Sequence, residues 1–120
     1  MSNMYVDWVV GEYFSGAQSD DVYCPGERWL EVGNFDSAVI LVQAQNASNL
    51  RVAIETAVDR GQTSWREMTS CVWTSWPGPN IQVVRSTDDY PMFRWLRFKL
   101  GNASSGAWSG SVTIRLLLKR

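Results

Sequence analysis

Histidine is absent from this chain of 120 residues. Its absence removes the most common general base and metal ligand of enzymes, and with them a Ser-His-Asp triad. Carboxylates remain, but nothing in the sequence marks two of them as a desolvated pair of the kind that glycosidases use. We therefore expect a protein that is not an enzyme and that has neither a cofactor nor a catalytic metal ion.

Cysteine is nearly absent, since Cys24 and Cys71 are the only two. Neither belongs to a Cys-x-x-Cys pair, so a zinc ion would lack ligands. Residues 1–5 show neither the basic region nor the apolar stretch of a secretory signal. We expect the protein to stay in the cytoplasm where it is made, or to leave by a route that needs no such signal. Without secretion, reduced buried thiols are favoured over the alternative, a disulfide.

A strong charge of one sign and a long apolar run are also missing. The net charge of −1 gives no electrostatic reason to expect nucleic acid or an anionic membrane as a partner. No run approaches the roughly 18 apolar residues of a membrane span. Hydrophobic residues make up 45% and charged residues 19%, which is typical of a soluble globular protein. The length predicts a single domain over residues 1–120.

What the sequence does contain is strand periodicity, most clearly over residues 93–120. Two amphipathic segments are joined there by a glycine-rich turn, and in each of them apolar residues alternate with polar or charged ones. The inward set is Leu96, Phe98, Leu100, Val112, Ile114, Leu116 and Leu118. This pair of strands predicts a compact β module.

The rest of the chain continues this pattern at spacings near ten residues. Further strands are predicted over 5–14, 28–32, 37–45, 50–57, 67–73 and 81–85, with turn residues between most of them. The unbroken apolar run 38–42 favours a central strand covered on both faces. Eight or nine short strands predict an all-β fold, an antiparallel sandwich of the jelly-roll kind.

Two segments resemble discoidin-like and related jelly-roll binding modules. Residues 50–55, followed by Asp59-Arg60-Gly61 and Trp65, resemble their strand–turn–tryptophan element, and residues 94–98 resemble a later strand of those modules. The likeness covers about half of the chain; Arg60 is inserted before the glycine, and the terminal disulfide of the family has no counterpart. The closing pair of strands is also similar to the ends of small phage virion proteins, such as capsid decoration proteins and tail-associated sandwiches. The first resemblance implies carbohydrate binding, the second a structural role.

Seven tryptophans are far more than a chain of this length usually carries. We expect Trp8, Trp29 and Trp65 to fill a core. Trp76 leads a Pro-Gly-Pro loop, with Trp73 close by in sequence, and Trp108 sits in the turn 104–110. Loop tryptophans are harder to bury, so Trp76 and Trp108 are candidates for stacking on a sugar or anchoring a protein interface. Trp95 shares a strand face with Arg97, and this pair either makes a cation–π contact or faces another subunit.

Charges are distributed unevenly along the chain. Acidic residues dominate 1–36 and basic residues dominate 85–120, which fits either solvated strand faces or head-to-tail contacts between copies. Asp20-Asp21 and Asp88-Asp89 are acidic loop pairs, and ordinary turn chemistry is a better explanation for them than calcium binding.

Our leading hypothesis is a non-enzymatic structural or assembly protein. It would form homo-oligomers and join a larger assembly such as a capsid, in a phage-type virion assembled in the host cytoplasm. The alternative is a carbohydrate-binding module that uses its loop tryptophans. Neither hypothesis gives nucleic acid or a membrane as a partner.

Overall fold

The computed structural model describes residues 7–18, 21–24, 30–33, 35–59, 65–85 and 94–119. Within these ranges every regular element is a β-strand, which confirms the all-β prediction. The strands are β1 (Asp7–Gln18), β2 (Val22–Cys24), β3 (Leu30–Glu31), β4 (Ser37–Ser48), β5 (Leu50–Ala57), β6 (Arg66–Trp73), β7 (Asn80–Arg85), β8 (Trp95–Asn102) and β9 (Trp108–Lys119).

The strands form two antiparallel sheets. The first sheet has the order β1-β9-β4-β7, and the second has the order β2-β8-β5-β6, with β3 pairing with a further stretch of β8. The chain passes from one sheet to the other at most connections, and β9 returns to lie between β1 and β4. A four-stranded and a five-stranded sheet connected in this order form a jelly-roll-like sandwich, so the predicted fold class is confirmed.

Alternation along the strands builds the core between the two sheets. In β9, Val112, Ile114, Leu116 and Leu118 are buried, whereas Arg115 and Lys119 are exposed. In β8, Leu96, Phe98 and Leu100 are likewise buried. Because successive side chains of a strand point to opposite faces, each sheet places one apolar set against the other sheet.

The strand β4 differs from its prediction. Ala38, Ile40 and Val42 are buried in the core, but Val39 on the opposite face is 38% exposed. The expectation that this run is covered on both faces is therefore wrong. An antiparallel sheet can leave one face to solvent, and among the described residues no layer covers the outer face of β4.

The short strand β2 was not predicted, because residues 15–26 have the composition of a loop. Three residues are too few to show a period of two, and β2 exists through its pairing with β8. That pairing places Tyr23 opposite Lys99, on the outer face of the second sheet.

One end of the sandwich is held by Asn49. It has a positive φ of 54° in the tight connection between β4 and β5, a conformation that asparagine tolerates better than most residues. Its side-chain amide donates to the carbonyls of Ser104 and Ala107 at 3.1 and 3.0 Å. Its Oδ1 accepts from the main-chain N–H of Ser104 at 2.9 Å. Asn49 thus ties the turn before β9 to the start of β5.

Candidate functional site

Trp108 does not lie in an exposed turn. It is the first residue of β9, pairs with Gln18 of β1, and is 1% exposed within the core. The strand begins earlier than the glycines around Trp108 suggest, so the ring is turned inward with Val112 and Ile114. The prediction that Trp108 contacts a glycan or a partner from the surface is therefore wrong.

Trp76 lies at the surface but is anchored to its own chain. The residue is half-buried, packs against the edge of the core, and donates its indole N–H to the carbonyl of Leu50 at 3.1 Å. Trp73 is also half-buried and packs against the core. The polar edge of the Trp76 ring is thus used within the protein, and only part of the ring faces solvent.

Arg97 forms the most organised polar cluster among the described residues, on the outer face of the second sheet. Its guanidinium carbon lies 4.1 Å from the ring centre of Tyr23 and 4.3 Å from that of Trp65. Its Nε donates to Glu55 Oε1 at 2.6 Å. The two charged side chains are only 11% and 9% exposed. We call Tyr23, Glu55, Trp65 and Arg97 the Arg97 cluster.

Topology brings the Arg97 cluster together. Glu55 and Arg97 are directly opposite each other on β5 and β8. On the other side of β8, β2 places Tyr23 opposite Lys99, two residues from Arg97. Trp65 comes just before β6 and covers the cluster instead of entering the core between the sheets, which corrects its predicted place. Trp29 and the side chain of Trp8 lie outside the described part of the chain.

Ion pairs surround this cluster. Arg51 donates to both carboxylate oxygens of Glu67, at 2.9 and 2.8 Å. Lys99 lies 3.7 Å from Asp21 and 3.9 Å from Glu67. The hydrogen bonds from Arg51, helped by the charges of Arg51 and Lys99, hold the pKa of Glu67 below its ordinary value, against the opposite effect of burial.

These pairs explain part of the uneven charge distribution of the sequence. Asp21 pairs with Lys99, and Glu31 accepts from Arg94 at 3.2 Å, so acids of the first third meet bases of the last third in one molecule. The jelly-roll order produces this, since β2 and β3 lie beside β8. Pairing within one molecule thus accounts for part of the charge distribution, and head-to-tail pairing between copies stays a prediction.

Trp95 is half-buried on the same face of β8 as Arg97 and Lys99, as predicted. Its cation–π partner is Arg94, whose guanidinium carbon lies 5.4 Å from the ring centre. Arg97 stacks instead on Tyr23 and Trp65. Contact of Trp95 with another subunit stays a prediction.

The outer face of the first sheet has the opposite character. Ile81, Val83 and Val39 are 60%, 41% and 38% exposed, and Leu41 and Leu117 beside them are half-buried. We call these five residues the edge patch. Large exposed apolar side chains are unremarkable singly, but a contiguous group of them is typical of an interaction surface.

Strand register makes the edge patch continuous. Val83 lies opposite Val39, and Val39 lies opposite Leu117 on its other side. One step along, Ile81 lies opposite Leu41. In the part of the chain that the structure describes, β7 has a strand neighbour only on the β4 side, so the patch extends to a sheet edge.

The sequence predicted all three strands of this patch but not their exposed apolar surface. The run 38–42 contains no polar residue to indicate an outward face, and β7 is too short to give more than one exposed pair. The useful signal was the alternation of Ile81 and Val83 with Gln82, which would have placed the two apolar residues on one face.

The described residues contain neither a cluster of metal ligands nor a membrane-spanning helix. They contain no group of three or more acidic, histidine or cysteine side chains placed to hold a metal ion. Asp21 pairs with Lys99, while Asp20, Asp88 and Asp89 lie outside the described ranges. In those ranges we find no helix of the length and apolarity required to cross a membrane.

Cys71 is a free, buried thiol in β6. The sequence favoured a reduced buried thiol over a disulfide at this position. Burial raises its pKa to about 11, and a weak hydrogen-bond contact with Ser70 opposes this only slightly. A protonated, inaccessible thiol is unreactive, so Cys71 is a small apolar core residue and not a nucleophile.

Comparison with known proteins adds no relative. No protein-family model matches the chain, and no curated protein matches it.

Proposed function

We propose that this chain is a non-enzymatic structural protein that acts through oligomeric protein–protein contacts, with the edge patch as its contact surface. The supporting observation is the exposure of Ile81, Val83 and Val39 side by side at the edge of the first sheet. Apolar surface gains about 25 cal/mol for each Å² removed from water, so a partner that covers three such side chains gains several kcal/mol before the costs of association.

A virion role is the specific form of this proposal, with a capsid or tail as the larger assembly and the host cytoplasm as the place of assembly. The similarity of the closing strands to those of small phage virion proteins supports it. The jelly roll is compatible with it, because capsid domains use this fold, but lectin domains use it too and the fold does not decide between them. Peptides of this chain in purified particles of the phage that encodes it would agree with the proposal, and their absence would contradict it.

Light scattering on the native protein tests the assembly proposal. We expect the wild-type protein to have a mass above that of one chain, increasing with concentration. The double variant Ile81→Lys/Val83→Lys should have the mass of one chain, because two ammonium groups in the patch cannot be buried without a large desolvation cost.

The matched control is Val58→Lys. Val58 is 61% exposed, as much as Ile81, but it follows β5 on the second sheet, away from the patch. We expect this variant to associate like the wild type. A wild-type protein that stays monomeric, or a double variant that keeps the wild-type mass, would contradict the proposal.

Glycan binding is the second candidate function. Of the two loop tryptophans on which it depends, Trp108 is buried and Trp76 already donates its N–H to Leu50. What favours the idea is the part of the Trp76 ring that faces solvent. Binding on a broad glycan array that disappears in Trp76→Ala would establish this function, and wild-type protein that binds no glycan would remove it.

A further inference from the structure

Within its six described residues, the edge strand β7 has little of the usual protection against pairing with another strand. Edge strands are commonly protected by lysine, proline or inward-pointing charges along their length. The six residues of β7 include one charged residue, Arg85, and it is the last. The outward side chains before it are Ile81 and Val83, both apolar and β-branched.

The charges around the edge patch argue against packing of one outer face on another. Arg85, Arg115 and Lys119 are exposed on that face, at positions beside or within the patch. Two copies packed face to face would have to take these charged side chains out of water, which costs free energy. Pairing at the edge avoids this, since it places the two faces side by side.

We propose that β7 pairs with β7 of a second copy of this chain, antiparallel about a two-fold axis at Gln82, so that two four-stranded sheets become one of eight strands. This inference rests on the proposed assembly function. A two-fold axis gives each copy the same surface, as isologous dimers require. The main-chain groups of residues 80–84 at the shared edge would then face complementary ones.

The sequence of β7 selects this register. With Gln82 opposite Gln82, Ile81 of each copy lies opposite Val83 of the other, so each of these side chains covers part of the other, while the remainder of the two edge patches stays on the outer face. Cross-strand pairs of β-branched residues contribute favourably to a sheet. Moving the axis to Val83 places Ile81 opposite Arg85, and moving it to Ile81 places Val83 opposite Pro79.

The same register separates the positive charges. Each Arg85 would lie opposite Pro79 of the other copy, which leaves the two Arg85 Cα atoms roughly 20 Å apart at about 3.4 Å per residue. That distance exceeds the Debye length of about 8 Å at physiological ionic strength. A parallel pairing in register would place them about 5 Å apart, which disfavours it.

The side chain of Gln82 gives the edge a local polar cover. Its amide donates to the main-chain carbonyl of its neighbour Val83 at 3.1 Å, in an exposed hydrogen bond. Such a bond contributes only about 1 kcal/mol net, so a main-chain donor from another strand can replace it. One six-residue edge also makes a small interface, and we expect a weak dimer.

Cysteine cross-linking tests the register directly. In Gln82→Cys the two introduced thiols would face each other across the axis, with Cα atoms about 4.5–5.5 Å apart, within disulfide range. We expect a covalent dimer after mild oxidation at a protein concentration between about 10 µM and 1 mM. The wild-type protein under the same oxidation shows what the native cysteines contribute, and Cys71 is buried.

Ile81→Cys and Val83→Cys are the matched controls. Alone, neither places two copies of the new thiol opposite each other, because both sit one residue off the axis. An equimolar mixture of the two variants should give a heterodimer, since residue 81 faces residue 83. Both substitutions replace exposed side chains, and thermal unfolding under reducing conditions confirms that each variant is folded.

The outcomes separate this inference from the assembly function. Cross-linking of Gln82→Cys at wild-type background levels, or stronger self-cross-linking of Ile81→Cys than of Gln82→Cys, overturns the pairing. If the wild-type mass still falls in Ile81→Lys/Val83→Lys, the assembly function stands while the β7 pairing fails. A wild-type protein that is monomeric throughout this concentration range removes both.

Discussion

The outward side chains cover the outer faces of the two sheets in different ways. On the second sheet, the outward positions carry Arg51, Glu55, Arg97 and Lys99, whose side chains pair with one another or with nearby acids and rings. Beneath them Ala53 is completely buried. The aliphatic parts of these long side chains cover apolar surface, and their charged groups pair within the same chain. This face is therefore covered by the protein's own side chains.

Among the described residues, the outer face of the first sheet near β7 has no such cover. Its outward positions carry valine, isoleucine and leucine. These side chains are short and have no polar end, so they leave apolar surface exposed to water. Both sheets are antiparallel and both supply apolar side chains to the core between them. Their outer faces differ in the length and charge of the outward side chains, and the less covered face is the one that the proposed assembly function assigns to a partner.

The largest effect is expected from breaking the Arg97–Glu55 pair. Glu55→Met should lower the free energy of unfolding by about 3–5 kcal/mol, because it leaves a guanidinium that is largely buried between two rings without its carboxylate. Urea denaturation followed by circular dichroism measures this. A loss below about 1 kcal/mol would mean that the outer face of the second sheet does not depend on this pair.

Two further variants locate the cause of that loss. Glu55→Met/Arg97→Met removes both charges, and it should recover a large part of the stability lost in the single variant. Arg94→Met breaks the ion pair between Arg94 and Glu31, in which the two side chains are 60% and 51% exposed. It should change the free energy of unfolding by less than about 1 kcal/mol.

Trp65→Leu should have the next largest effect. The Trp65 ring lies against the Arg97 guanidinium at 4.3 Å, and a cation on an indole face that is largely out of water contributes about 1–2 kcal/mol. We expect a loss of that size in urea denaturation, and a smaller one when Trp65→Leu is introduced into Arg97→Met. Equal losses in the two backgrounds would show that the ring contributes by packing alone.

The sequence predicted the architecture well because strand periodicity is local. The alternation in residues 95–100 and 111–118 identified β8 and β9 and the core residues they supply. The surfaces depend on distant parts of the chain. Tyr23 and Trp65 reach Arg97 only because β2 and β6 lie in the same sheet as β8, and the outward face of β4 depends on what lies over it. Trp108 was misplaced because the glycines near it signal a turn, whereas pairing with β1 extends the strand to include it.

A smaller effect, and one that depends on pH, is expected at Glu67. Arg51 lowers the pKa of Glu67 in the folded protein, so the carboxylate stabilises the fold at pH values above its unfolded-state pKa. This contribution is lost as the pH falls through the lowered folded-state pKa. Glu67→Gln should therefore cost up to about 1 kcal/mol at pH 7 and progressively less below pH 4.5, the ordinary value. Urea denaturation of both proteins across this range measures it, and a constant difference would contradict the assignment.

The smallest change in stability is expected at the edge patch itself, from Val83→Thr. Val83 is 41% exposed on the outer face, so a hydroxyl there stays in water, and we expect a change within about 0.5 kcal/mol. The neighbouring Val84 is 2% exposed on the inner face, and Val84→Thr should cost about 1–3 kcal/mol because its hydroxyl enters the core. Urea denaturation at low concentration compares the two without the influence of association. If Val83→Thr costs as much as Val84→Thr, the outer face of β7 is covered within the single chain, and it is not available to a second copy.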